Sequence, residues 1–183
     1  MGSSTDALRA VSAAERSLGA GIAQWVSLVA IAVGAAAADQ VTKHVVASHL
    51  ALDDEIRILG PLTIHHVQNS GIAFGFFAGA TPVVIVLTAL ALAWMLVFFA
   101  RSGARHPALP VALGLVVGGS ASNLADRIRL GHVTDFLDLR FWPAFNLADS
   151  FIVVGVAALF FVLVVADRDR RSRRVTDAPP ARS

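Results

Sequence analysis

Long uncharged runs alternate with short polar ones along this chain. Four runs carry no Lys, Arg, Asp or Glu: Gly19 to Ala38, Pro82 to Ala100, Ala108 to Ala125 and Ser150 to Ala166. A bilayer core takes roughly 17 to 25 residues of apolar helix, so each run predicts a transmembrane helix, the fourth opening near residue 147. The third is the least apolar, because Ser120, Ser122 and Asn123 make its last turn polar. Lipid tolerates such groups only where protein or a wet cavity receives them. After the first run, Ile56 to Leu59 and Leu62 to Val67 mix β-branched and apolar residues around Gly60-Pro61, the pattern of two short strands and a turn. A lone hairpin is unstable without a surface to pack on. The expected fold is therefore an all-α membrane protein of four transmembrane helices, with a small outward-facing β-platform after the first helix.

The polar ends set the orientation and the boundaries. Ten of the 15 basic residues fall in the N-terminal segment, the connection after the second run and the C-terminal tail; the other five are Lys43, Arg57, Arg127, Arg129 and Arg140. The positive-inside rule then places both termini in the cytoplasm and the connections 39–81 and 126–149 outside. Residues 1–18 and the basic tail 170–183 are expected to be disordered extensions of one membrane domain spanning 19–169, with helices about 19–38, 82–100, 108–125 and 147–166. A cleaved signal peptide ending near Ala36 to Ala38 is the rival reading of the start. It would leave three spans and put the arginine-rich tail on the wrong side.

Composition narrows the chemistry. With 56% hydrophobic and 15% charged residues the chain suits lipid, and its net charge of +2 comes from the tail arginines, which suit anionic lipid better than nucleic acid. The absence of cysteine removes disulfides, thiolate metal sites and cysteine nucleophiles. There is no His-Glu-x-x-His, no Gly-x-Ser-x-Gly and no phosphate loop with lysine. His65, His66 and His132 are scattered in outward segments, so neither metal nor cofactor is expected.

Ionisable groups at the edge of a span are costly and invite an explanation. Three clusters stand at the outward helix ends. Asp39 and Lys43 are four apart and share a helix face; they read as an interfacial ion pair or as part of a site. Asp126 and Arg127 read as a helix-end pair, with Asp126 structural and Arg127 turned to substrate or lipid. Asp135 lies between apolar neighbours, and Asp149 opens the last helix three residues after Asn146. Singly, these two are a loop aspartate and a carboxylate favoured by the helix dipole. Together they form a pair without a matching lysine. Two carboxylates held close share one proton, so one can deprotonate a water while the other polarises a carbonyl. Asn123 and Asn146 could orient them or donate to an oxyanion.

The ordered blocks Asp39-Gln-Val-Thr-Lys43, Asn69-Ser-Gly-Ile-Ala-Phe-Gly75, Gly118-Gly-Ser-Ala-Ser-Asn-Leu-Ala-Asp-Arg127, Gly131-His-Val-Thr-Asp-Phe136 and Phe145-Asn-Leu-Ala-Asp149 resemble the lipoprotein signal peptidase (signal peptidase II) family across about residues 20 to 167. The resemblance implies that Asp135 and Asp149 are the catalytic pair of an aspartic endopeptidase. Its other polar site positions fall on Asp39, Lys43, Asn69, Asn123, Arg127 and Asn146, with Gly71 inside the Asn69 block. It implies hydrolysis of the bond before a diacylglyceryl-modified cysteine in a prolipoprotein, in the bacterial inner membrane with the site at the outer face and membrane lipid around it; a monomer is the expected state. The segment through Phe74, Phe76 and Phe77 would cover the substrate as a clamp or form an interfacial aromatic belt. Ser122 departs from the glycine usual there, and Thr134 from a valine. Two other classes stay in view: a small transporter or channel, which would need polar residues through the depth of the spans, and a non-catalytic assembly protein whose polar clusters only fasten helices.

Overall fold

The computed structural model describes residues 19–71, 80–102 and 106–176. The clamp residues Phe74, Phe76 and Phe77 and the extension 1–18 lie outside the described residues. In chain order the elements are α1 (Ile22–His49), β1 (Glu55–Leu59), β2 (Leu62–Asn69), α2 (Thr81–Ser102), α3 (Leu109–Leu130), β3 (Val133–Asp138) and α4 (Leu147–Thr176). By length and composition α1, α2 and α3 can each cross a membrane, and Leu147–Val162 is a shorter apolar helix within α4.

Two helices run past their expected ends. α1 continues from Ala38 to His49, so Asp39 and Lys43 sit within a helix and not at its end. Hydropathy marks where lipid stops, and Gln40 to Ala47 contains no glycine or proline to stop a helix. α4 continues to Thr176, through residues 170–176 of the expected disordered tail.

α3 is the central helix, packed mainly between α1 and α4, with α2 against it as well. Adjacent glycines allow this. A side chain at Gly118 would run into the backbone of Ala32 on α1, and one at Gly119 would meet the Ala148 carbonyl of α4 at 2.5 Å. Small residues let helices in lipid approach closely enough for packing and polar contacts to hold them. At one end of the bundle Leu28, Phe99, Leu109 and Leu113 form the buried apolar core, with Trp25 edge-on to Phe99 at 5.0 Å. Outward faces carry Val33 on α1, Leu90 and Trp94 on α2 and Val153, Phe160 and Phe161 on α4, all exposed. An apolar belt of this extent suits lipid and not water.

The platform has three strands, where the sequence indicated two. β2 is central in an antiparallel sheet of order β1-β2-β3. Val67 faces Asp135 and Asn69 faces Val133 across the β2–β3 ladder. Phe145 then bridges to Leu137, its N–H donating to the Leu137 carbonyl at 3.0 Å and its own carbonyl accepting from the N–H groups of Phe136 (3.0 Å) and Leu137 (2.8 Å). That bridge closes the 139–144 loop and draws the start of α4 onto β3.

Candidate active site

The Phe145 bridge brings Asn146 and Asp149 beside Asp135. Asn146 is the residue before α4, and it forms a reciprocal cap with Asp149 at the third helical position. The Asn146 N–H donates to Asp149 Oδ2 at 3.1 Å, and the Asp149 N–H donates to Asn146 Oδ1 at 2.9 Å. The remaining Asn146 group, Nδ2, donates to Asp135 Oδ1 at 2.7 Å and to Asn123 Oδ1 at 3.1 Å. Both carboxylates therefore converge on one asparagine, which is fully buried.

Two further amides complete the set. Asn69, the last residue of β2, donates from Nδ2 to Asp135 Oδ2 at 2.9 Å while its Oδ1 accepts the Gly71 N–H at 3.0 Å. Asn123 of α3 donates from Nδ2 to Asp149 Oδ1 at 2.9 Å. Each of the four carboxylate oxygens thus accepts one amide donor. A carboxylate oxygen has two lone-pair sites, so each retains capacity for a proton, a water or a substrate group.

Behind this pair lies a second polar group. Lys43 Nζ contacts Asp39 Oδ2 at 2.6 Å, Asp126 Oδ2 at 2.7 Å and Asn123 Oδ1 at 2.7 Å. All four side chains are buried, Asp39 at 0% exposure. Asp39 Oδ1 also accepts the Ala148 N–H at 2.8 Å, satisfying one of the amides that a helix start leaves open. This is not the solvent-washed interfacial pair that Asp39 and Lys43 suggest in sequence. Nor do Asp126 and Arg127 pair with each other: Asp126 binds Lys43 and accepts from Gln40 Nε2 at 2.7 Å. Arg127 instead donates to the carbonyls of Gly71 at 3.1 Å and Asn123 at 3.3 Å, tying the end of the platform to α3. Neighbours three and four apart on a helix diverge less than adjacent ones, which is why Asp126 and Arg127 serve different partners.

Sequence reasoning missed two members of this group. Ser122 Oγ donates to Asp39 Oδ2 at 2.7 Å and accepts from Gln40 Nε2 at 3.0 Å. Both are polar residues on membrane helices, which is the signal that could have found them. The histidines stand apart: His65 Nδ1 lies 3.2 Å from Asp138 Oδ2, and His66 Nδ1 lies 3.0 Å from the Leu50 carbonyl. Among the described residues no three of His, Asp and Glu are grouped to hold a metal.

Burial pushes the Asp135 carboxyl up to about 6, against the Asn69 hydrogen bond that lowers it; the charge of Asp149 raises it further, while Asn146 and the Lys43 ammonium act downward. A cavity of about 370 Å³ opens beside Asp149, lined by Val84, Leu87, Thr88, Ala91 and Met95 of α2, by Ser120, Asn123 and Arg127 of α3, and by Ile152 of α4. It is a mostly apolar groove with a few polar groups in its lining, the usual make-up of a ligand site.

Residues 31–165 match the family model for signal peptidase (SPase) II. The chain belongs to that family. A lipoprotein signal peptidase of Symbiobacterium thermophilum is 42% identical over 146 residues, covering 76% of this chain and 95% of the relative. One from Pelotomaculum thermopropionicum is 39% identical over 137 residues, covering 74% and 90%. A solved bacterial membrane enzyme, determined by the in meso method at 2.3 Å, superposes with a TM-score of 0.74 at 28% identity, covering 78% of this chain and 90% of its own. As a signal peptidase II the chain is a multi-pass membrane peptidase, and its conspicuous polar residues lie together at one end of the bundle.

Proposed function

We propose that this signal peptidase II is an aspartic endopeptidase, that Asp135 and Asp149 are its catalytic pair, and that it cleaves prolipoproteins before a diacylglyceryl-modified cysteine. The observation that carries the reading is the convergence of both carboxylates on Asn146, with Asp149 also in the lining of a mostly apolar groove. Its relatives are lipoprotein signal peptidases, and a lipid-bearing helix is the substrate that such a groove between helices suits.

Asp149 lies in the first turn of α4, where helix amides stabilise negative charge, and in this reading Asp135 carries the proton that the pair shares. Asp149 takes a proton from a water held between them, and the water oxygen bonds to the scissile carbonyl carbon. Asp135 gives its proton to the carbonyl oxygen as that oxygen gains charge. The tetrahedral intermediate collapses when Asp149 returns its proton to the amide nitrogen, the C–N bond breaks, and Asp135 regains a proton from the new carboxyl group. Asn123 and Asn146 hold the carboxylates in place throughout. Arg127 and Gly71 keep the platform over the groove, with Asn69 fixing Asp135.

The distribution of basic residues supports a site at the outer face of the bacterial inner membrane with both termini in the cytoplasm. A transporter would need a polar path through the bundle, whereas the end opposite the aspartates is the apolar core of Leu28, Phe99, Leu109 and Leu113. The test is incubation of the purified protein with a diacylglyceryl-modified precursor and with the same precursor unmodified. Selective cleavage of the modified form is expected; equal cleavage of both, or of neither, contradicts the proposal.

A further inference from the structure

We infer that Lys43 is a positioning residue for the aspartate pair: its ammonium fixes the amide of Asn123 toward Asp149, and its charge acts on the pair from behind. The inference rests on the catalytic reading above and extends it to a residue that need not touch substrate.

An ammonium has three donors and no acceptor, and Lys43 has three partners: Asp39 Oδ2, Asp126 Oδ2 and Asn123 Oδ1. The third contact is the informative one. An asparagine amide can be turned either way round, and its partners decide which. With Lys43 Nζ at 2.7 Å and Asn146 Nδ2 at 3.1 Å, Asn123 must present its oxygen to them, because two donors cannot face an NH₂ group. Its nitrogen then points at Asp149 Oδ1 at 2.9 Å. Without the ammonium, only Asn146 opposes the flipped amide, which would aim an oxygen at the Asp149 carboxylate.

Charge points the same way. Among the described residues, Lys43 and Arg127 are cations near the buried or half-buried aspartates Asp39, Asp126, Asp135 and Asp149. Asp39 and Asp126 hold the ammonium directly, yet its field still reaches Asp135 and lowers the carboxyl that burial and Asp149 raise. Asp39 has an ordinary structural task as well, since it receives the Ala148 N–H and the Ser122 hydroxyl. That separates the two roles: removing Ser122 Oγ loosens the cluster without removing the ammonium.

The experiment compares purified Lys43→Met, Lys43→Gln, Lys43→Arg and Ser122→Ala with the unaltered protein, following kcat/KM against pH and the melting temperature, with Asp135→Asn alongside. In such profiles the limb belongs to the free enzyme's essential groups, and loss of the Asp135 proton gives the alkaline limb. In both neutral variants that limb moves up by about one pH unit and kcat falls at least about tenfold. Lys43→Arg keeps the limb in place, and Ser122→Ala melts lower with its limb unmoved. A limb that stays put in both neutral variants overturns the inference, as does failure of both to accumulate as folded protein, which would assign Lys43 to the fold alone. Activity in Asp135→Asn would instead remove the underlying catalytic reading, so the two failures are told apart.

Discussion

Replacing Asp135 with asparagine should change the pH dependence of stability in a direction fixed by its surroundings. The Asp135 carboxyl is raised from its ordinary 3.8 to about 6 in the folded protein, so the folded state binds the proton more tightly than the unfolded chain does. Stability then falls as pH rises between those two values, because the folded protein must release a proton it favours. At 1.36 kcal/mol per pH unit the loss is about 3 kcal/mol, absent below pH 4 and complete above about pH 7. Asp135→Asn has no proton to lose and escapes this cost. It forfeits one hydrogen bond, since Asn69 and Asn146 donate to different oxygens of Asp135 and one of these becomes an NH₂ group, a constant penalty of about 1–3 kcal/mol. The variant should therefore melt below the unaltered protein at pH 4 and level with it or above it at pH 7.5. The relative change is on the order of 5–10 °C for a chain of this size. Thermal unfolding in detergent, followed by tryptophan fluorescence over pH 4 to 8, measures the difference while titrating groups remote from the pair cancel. A difference that stays flat across the series, or that moves in the opposite sense, refutes the assignment of a raised Asp135 carboxyl.

Two other substitutions probe the scaffold of the site. Gly118→Ala places a methyl group against the Ala32 backbone and should cost about 1–3 kcal/mol through overpacking of α1 on α3; an unchanged melting temperature would show that the helices do not meet there. Asn146→Ala removes the side-chain bonds to Asp135, Asn123 and the Asp149 N–H together. Loss of a helix cap of about 1 kcal/mol and a fall in kcat of at least about a hundredfold are expected, with KM little altered, and activity within twofold of the unaltered protein would contradict the role given to this residue.

Much of the site was legible in the sequence because charge is conspicuous in an apolar chain. Asp39, Lys43, Asp126, Asp135 and Asp149 stand out where lipid disfavours them, and their clustering just beyond the same ends of the apolar runs follows from an up-and-down path through a bilayer. The partners were less legible. That Lys43 binds Asp126 and Asn123 depends on how closely α1 meets α3, and glycines at 118 and 119 report a close approach without stating which helix each serves. β3 was missed because Val133 to Asp138 reads as a short connection between two apolar runs. Its strand character comes from pairing with β2, some sixty residues earlier, and strand propensity depends strongly on such context. The overrun of α1 was hidden for another reason: its hydropathy drops at Asp39, although the backbone has no cause to unwind there.

The most direct test of the central claim is the cleavage rate of a diacylglyceryl-modified precursor by purified Asp135→Asn and by purified Asp149→Asn, each first shown to melt cooperatively. General acid–base catalysis contributes about 10²–10⁴-fold. If the two carboxylates act as one unit, each variant should fall by at least about a thousandfold, and the double variant should be little worse than either. Retention of activity within tenfold of the unaltered protein in either folded single variant would contradict the account.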